Sequence, residues 1–314
     1  MKKKSLIAII SAVIMALLGF GYTLFEGSLS PKDEPAQNSS VSQVQESTAN
    51  SSEPENEQPS LTSYYIDVGQ GDSEFIILPN GKTMLIDAGT REGGEKVISF
   101  IQNCGYKKID YVIGTHPHSD HIGGLADVIK AFDIGTIYMP NKATTTKTYE
   151  YLLQTIQNKK KKVKTAKAGV NIAKSKELDF SVDMIAPISE EYEDLNDYSA
   201  VIMIRFGDKK FLYMGDAERL VENEILGKNT DVKADVVKVG HHGSSSSSSD
   251  KFVKATQAKY AIFSLGAGND YGHPHKEIVN RWKKYKAEMY RTDEKGTITI
   301  TSDGKNITVK TEKK

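Results

Sequence analysis

With 314 residues the chain has room for one large domain or two small ones, and its 41 basic side chains balance its 41 acidic ones. That balance excludes the strongly basic class of nucleic-acid binders as a reading from charge alone. The single cysteine, Cys104, excludes an intrachain disulfide and any multi-cysteine metal site, and reads as a small apolar core residue.

In chain order, Lys2, Lys3 and Lys4 precede an uninterrupted apolar run from Ser5 to Phe25, about 21 residues, long enough to cross a hydrocarbon core as a helix. The positive flank stays in the cytoplasm. A cleaved signal peptide has a shorter apolar core ending in small residues, and Gly19-Phe-Gly-Tyr-Thr-Leu-Phe25 offers no such site. The expectation is a single-pass anchor in the cell membrane with the rest of the chain extracellular; secretion after cleavage is the alternative. Residues 26–60 are rich in Ser, Gln, Asn, Glu and Pro and nearly free of large apolar side chains, the composition of a disordered linker.

Residues 61–314 carry only a mild positive excess and alternate strand-like with helix-like patterns. Three hairpins are predicted: Phe75–Leu78 with Thr83–Asp87 around Asn80-Gly81, Val201–Phe206 with Lys210–Met214 around Gly207-Asp208, and Thr297–Ile300 with Asn306–Val309 around Asp303-Gly304. Helices are predicted near 95–103, 125–132, 148–158, 217–226, 250–255 and 276–285. Hairpins recurring between helices point to an α/β fold, two mixed sheets packed face to face with helices outside.

The chemistry starts at Asp110-Tyr-Val-Ile-Gly-Thr-His116-Pro-His118-Ser-Asp120-His121-Ile-Gly-Gly124, where an apolar strand runs into three histidines and an aspartate. His116 and His118 alternate and so project from one side of an extended segment, while Asp120 and His121 turn across a second pocket. Imidazole and carboxylate together suit zinc and similar first-row cations, and four such groups in six positions serve two adjacent ions.

At this motif the sequence resembles the metallo-β-lactamase superfamily, whose signature is His-x-His-x-Asp-His after a strand. The resemblance implies a four-layer αββα sandwich and a two-metal hydrolase. It further implies metal ligands His116, His118, Asp120 and His121, with Asp216 in Tyr-Met-Gly-Asp bridging the two ions. Asp87 in Leu-Ile-Asp-Ala-Gly would support a ligand from behind. The final histidine ligand would be His241 or His242; His241, the first residue past the glycine that ends Asp235-Val-Val-Lys-Val-Gly, is favoured, with His242 left as a metal or substrate contact.

Asp67-Val-Gly-Gln-Gly-Asp72-Ser, Asn196-Asp-Tyr-Ser-Ala-Val, His241-His-Gly-Ser and Tyr271-Gly-His-Pro-His275 narrow the likeness to the extracellular domain of ComEC-type competence proteins, from about Tyr64 to the end. The chain is similar as well to secreted phosphodiesterases acting on phosphocholine-bearing wall polymers. ComEC proteins proper carry a many-helix channel, so this chain reads as a free-standing relative. One departure stands out: the further histidine that the superfamily commonly supplies before the Asp216 hairpin is replaced by Leu195-Asn196-Asp197-Tyr198-Ser199. Either Asp197 substitutes a carboxylate, or Asn196 leaves one ion less tightly held, or both simply form a turn. Two Zn2+ ions are the leading expectation and Mn2+ a competitor.

A hydroxide bridging two cations would then attack phosphorus or a carbonyl, with Asp120 in the catalytic set. His273 and His275 are placed to contact a non-bridging oxygen or protonate a leaving group, His273 as a catalytic and His275 as a substrate-binding candidate, with a surface histidine the alternative for either. Asp72, Ser73 and Ser244 are further substrate-binding candidates. The lysines at 159–162, 164 and 167 bind a polyanion or form a solvated helix end. A phosphodiesterase or nuclease ranks first, a wall-polymer phosphocholine esterase second, a β-lactamase third; a metal-binding module without catalysis would not need this whole set. The expected partners are a phosphodiester, as DNA or wall polymer, and the membrane through the N-terminal segment, with no obligate protein partner evident.

Overall fold

The chain folds by alternation and turn chemistry. The computed structural model describes residues 58–314, so the anchor expected at 1–25 and residues 26–57 of the linker lie outside the described residues. Among the described residues no helix is long and apolar enough to cross a membrane. The elements run β1 (Leu61–Tyr65), β2 (Glu74–Ile77), β3 (Thr83–Ile86), α1 (Arg91–Asn103), β4 (Lys108–Ile113), α2 (Ser119–Ile122), α3 (Leu125–Ala131), β5 (Asp133–Met139), α4 (Lys147–Asn158) and β6 (Val163–Thr165). They continue β7 (Asn171–Ser175), β8 (Phe180–Ala186), β9 (Val201–Phe206), β10 (Lys209–Tyr213), α5 (Arg219–Gly227), β11 (Val236–Lys238), α6 (Asp250–Thr256), β12 (Tyr260–Phe263), α7 (Lys276–Lys284), β13 (Glu288–Arg291), α8 (Thr292–Lys295), β14 (Ile298–Ser302) and β15 (Ile307–Thr311).

One sheet of eight strands has the order β15-β14-β1-β2-β3-β4-β5-β6, and a second of seven has the order β13-β12-β11-β10-β9-β8-β7. Both faces of the central strands are apolar, which reads out in the two-residue period. Met84 and Ile86 of β3, with Ile202 and Ile204 of β9, enter one core between the sheets. Leu85 faces a core under α1, α3 and α4, whereas Val201 and Met203 face a third core under α5, α6 and α7, where Trp282 is buried. Sheets face to face with helices outside is the layering expected from the sequence. All three predicted hairpins form, and β1 pairs antiparallel with β14 to close the sheet across the domain.

Strands β3 to β6 are parallel, as are β10 to β13. The loops after β3, β4, β10, β11 and β12 therefore leave the same ends of their sheets, where loops gather function. Lys159, Lys160, Lys161 and Lys162 lie between α4 and the start of β6, at the opposite strand ends. Lys159 donates to the Lys130 carbonyl at 3.1 Å, and Lys161 pairs with Asp133 at 3.7 Å. They form a solvated helix end away from the histidine motif.

Two local expectations are corrected. Cys104 closes α1 and is half-buried rather than part of the core. Helix α1 begins at Arg91, before the predicted start, because Thr90 Oγ1 accepts the Gly93 N–H at 3.2 Å as an N-cap. Gly93 and Gly94 disguised that first turn by their low helix propensity. Packing explains Gly94: a Cβ there would lie 2.6 Å from the Cα of Gly124, at the end of the histidine motif. Gly94→Ala should therefore destabilise the fold by about 1–3 kcal/mol through overpacking, even though alanine gains up to about 1 kcal/mol in an isolated helix. Urea denaturation of the purified variant tests this; a stabilised protein would mean that α1 moves freely off the motif.

Candidate metal centre

Strand β4 carries the chain apolar and extended to Gly114, after which His116 and His118 follow without helix and α2 turns Asp120 and His121 inward. His116 and His121 are both buried. His116 Nε2 lies 2.9 Å from His118 Nδ1, while its Nδ1 is within 3.1 Å of Thr115 Oγ1 and 3.3 Å of Ser199 Oγ. His121 Nδ1 sits 2.7 Å from Asp87 Oδ2, and Asp87 also accepts the Thr115 N–H at 2.8 Å and its hydroxyl at 2.5 Å. Asp87 thus holds the His121 ring from behind.

Asp216 arrives at the end of β10 behind Gly215, and its backbone N–H donates to Ser199 Oγ at 3.0 Å. Its Oδ2 faces four imidazole nitrogens: His121 Nε2 at 3.2 Å, His242 Nε2 at 3.4 Å, His241 Nε2 at 3.7 Å and His116 Nε2 at 3.9 Å. His241 and His242 both reach it because the turn after β11 has two consecutive left-handed residues, φ +47° and +52°. Such conformations cost about 1–3 kcal/mol each and persist where the surroundings fix them.

The donors of Asp120, His121, Asp216 and His242 all lie within 4.8 Å of one another, a set that could hold a metal ion. The Nε2 atoms of His121 and His242 and the Oδ1 of Asp216 are buried without a hydrogen bond of good geometry. Orphaned nitrogen and oxygen donors converging on one point are what a cation would satisfy, so the residues present fit a divalent metal. These groups open on a cavity of about 260 Å³ that is lined by Gln70, His118, Ser119, Asp120, Asp216, His241, His242, Tyr271 and His273.

Several sequence expectations change here. Of the two candidates for the final histidine, His242 is the one whose donor converges with those of Asp120, His121 and Asp216: its Nε2 is 3.3 Å from Asp120 and its Nδ1 is held by the Ser264 carbonyl at 2.9 Å. His241 instead points its Nδ1 at Glu218 Oε1 and Ser246 Oγ, each 3.1 Å away. Asp72 and Ser73 do not reach the cavity: Asp72 is buried in an ion pair with Lys238 and sits 3.2 Å from His242 Nδ1, and Ser73 Oγ donates to the Asp87 carbonyl at 3.2 Å. Ser244 bonds Ser246 within its own loop, and His275 Nδ1 accepts the Ser245 N–H at 2.8 Å, pinning that loop rather than a substrate. The six consecutive serines Ser244–Ser249 are held from beneath by the buried Glu222 carboxylate, which accepts the Ser248 and Ser249 N–H groups. Asn196 and Asp197 do not line the cavity either. Asn196 Nδ2 donates to Glu218 at 3.4 Å, and Asp197 accepts the Glu218 N–H at 3.3 Å, with burial pushing its carboxyl up to about 6. His273 lines the cavity wall.

Sequence reasoning missed Glu218, Lys238, Gln70 and Tyr271. Lys238 left the clearest signal, a charge inside the apolar run Val236–Val239; Glu218 stands two residues past Asp216, inconspicuous just ahead of the acids of α5.

A family profile described as the metallo-beta-lactamase superfamily matches residues 66–267. ComE operon protein 3 of Bacillus subtilis is 32% identical over 250 residues, 74% of this chain and 32% of that protein. Recombination protein 2 of Haemophilus influenzae is 28% identical over 240 residues, 75% of this chain and 28% of that one. The chain thus spans about a third of the length of these curated relatives. Among solved structures, CmlA, a diiron β-hydroxylase from Streptomyces venezuelae, shares the fold at 15% identity with a TM-score of 0.52, over 76% of this chain and 53% of CmlA.

Charge in the centre is balanced internally. Burial alone would push the His121 and His242 imidazoles down, but the carboxylates of Asp216, Asp120 and Asp87 around the first, and of Asp216 and Asp72 around the second, hold both well above the usual range. Burial opposes ionisation of Asp216 too, yet His121 and His242 hold it well below. His116, with less carboxylate around it, is driven well down by burial and by His121. In the metal-free protein His121 and His242 therefore keep their protons through neutral pH, above the ordinary imidazole value of about 6.5. A cation must displace those protons, so its apparent affinity rises with pH. Calorimetric titration with Zn2+ in buffers of differing ionisation enthalpy should show proton release near neutrality and weaker binding as the pH is lowered. Binding without proton release would contradict this charge assignment.

Proposed function

The chain belongs to the metallo-β-lactamase superfamily, and from that premise we propose that it is a metal-dependent hydrolase of phosphodiesters, with DNA as the favoured substrate. The observation that carries the reading is the buried Asp216 carboxylate facing four imidazole nitrogens within 3.9 Å, at the floor of an open cavity. His116 and His118 would hold one cation, and Asp120, His121 and His242 the other, with Asp216 shared. Mixed imidazole and carboxylate donors suit Zn2+, and Mn2+ is the competitor because oxygen ligands weigh heavily in the set. When bound, such a pair activates water and offsets charge on the attacking and leaving oxygens of a phosphoryl group.

The chain's own residues divide the remaining work. Asp87 and Thr115 fix the His121 ring, and Ser264 and Asp72 fix His242, so the donors are oriented in advance. Among the described residues no lysine or arginine lines the cavity, which leaves an anionic substrate to be held by the cations. His273 is lowered to about 4 by burial and by the neighbouring imidazoles, so at neutral pH it acts as a neutral N–H donor to a phosphoryl oxygen rather than as an imidazolium acid. Gln70 and Tyr271 complete the wall.

Support for DNA comes from the recombination protein among the relatives, not from the lysines at 159–162, which stand at the opposite strand ends. A phosphocholine group would call for an aromatic cage, and Tyr271 is the only Phe, Tyr or Trp lining the cavity among the described residues. An extracytoplasmic site is part of the same proposal and rests on the lysine-flanked apolar run at 5–25.

The test is hydrolysis by the full-length chain of a chromogenic phosphodiester, single-stranded DNA, phosphocholine polymer and a β-lactam in parallel. Chelation should abolish turnover, and Asp120→Ala or Asp216→Ala should lower it about 10³-fold, the several kcal/mol of charge stabilisation that a metal supplies at 1.4 kcal/mol per decade. Full activity in a verified metal-free sample would sink the proposal.

A further inference from the structure

The superfamily's further histidine is missing at Leu195–Ser199, yet the turn after β11 holds two histidines where one is needed. His242 already completes the donor set with Asp120, His121 and Asp216. His241 has its Nδ1 fixed by Glu218 and Ser246, and its Nε2 free toward Asp216 Oδ2 at 3.7 Å, in the cavity that His118 also lines. His116 Nε2 is 3.9 Å from the same carboxylate oxygen and 2.9 Å from His118 Nδ1. Nitrogen ligands stand about 2.0–2.1 Å from zinc, so two ligands of one ion are separated by roughly 3–4 Å; the His116–His118, His116–Asp216 and His241–Asp216 separations, 2.9, 3.9 and 3.7 Å, fall in or close to that range.

Asn196 and Asp197 hold neither cavity wall nor imidazole place. They hold Glu218, through its side chain at 3.4 Å and its backbone N–H at 3.3 Å, and Glu218 holds His241. The segment that lacks the histidine thus supports, through one carboxylate, a histidine supplied from another loop. A carboxylate behind a ring nitrogen is how metal-binding imidazoles are commonly oriented.

We propose that His241 is the third imidazole of the ion held by His116 and His118, replacing the histidine absent at 196–197, and that Glu218 is its positioning residue. This rests on the two-metal reading above. Asp216 is then shared by two complete sets, His116–His118–His241 and Asp120–His121–His242.

The test is Zn2+ stoichiometry and affinity of the full-length protein, measured by elemental analysis after equilibration at buffered free zinc, with circular dichroism as the check on folding. Wild type should bind two ions. His241→Ala should bind one, with the affinity of that remaining ion within about threefold of wild type. Glu218→Gln should still bind two, the weaker of them about 10- to 100-fold more loosely. His241→Asp, which restores a donor, should recover the second ion, and it serves in place of the alanine variant should that fail to fold. Two ions bound at wild-type affinity by His241→Ala, or both ions lost from that variant while it stays folded, would overturn the proposal. Wild type binding one ion that His241→Ala leaves untouched would overturn the two-metal reading itself, a result distinct from the other two.

Discussion

A carboxylate buried among imidazoles is the constraint from which the rest of this structure follows. Asp216 is almost wholly shielded from water, and an isolated ionised carboxylate there would cost many kcal/mol. It is tolerable because His121 and His242 face it with raised proton affinity, and each of those rings has a carboxylate behind it, Asp87 for the first and Asp72 for the second. Positive and negative groups therefore alternate outward from Asp216. The alternation ends at Lys238, a fully buried ammonium that pairs with Asp72 and is kept charged by it and by the nearby Glu74 despite the burial. Removing any one member leaves its neighbour an unpaired buried charge, a more damaging change than the loss of a surface ion pair.

The fold serves that arrangement by delivering each member from the end of a different strand. Asp87 follows β3, the histidine motif follows β4, Asp216 follows β10, His241 and His242 follow β11, and Ser264 follows β12. Glycines allow the loops to meet. A Cβ on Gly71, where φ is +126°, would fall 2.1 Å from the Asp120 carbonyl oxygen, so the loop before β2 presses on the motif only because no side chain intervenes. The same loop carries Asp72 behind His242 and Gln70 on the cavity wall, which explains why this glycine-rich segment belongs to the centre.

Much of this was legible from residues close in sequence. The His116–His121 run, Asp87 behind it, Asp216, three hairpins and the two-sheet architecture all rest on short motifs or on alternation, which act over a few residues. What failed depended on distant contacts or on backbone reversals. Which of His241 and His242 faces which donor is decided by two left-handed residues that sequence does not announce. Asp72 and Ser73 looked like substrate contacts because polar residues beside glycines commonly are; burial against Lys238 and Asp87 makes them supports. The lysine cluster gave charge without position, and only the parallel order of β4, β5 and β6 puts it at the far strand ends. Glu218, tied to Asn196, Asp197 and His241, could not be distinguished from the acids of α5 that follow it.

The central claim is that Asp216 joins two metal sites, and anomalous diffraction from zinc-loaded crystals tests it most directly. Two peaks about 3.5–4 Å apart are predicted, each about 2.0–2.2 Å from an oxygen of Asp216. A single peak with Asp216 on one ion alone, or two peaks that leave Asp216 uncoordinated, would contradict it.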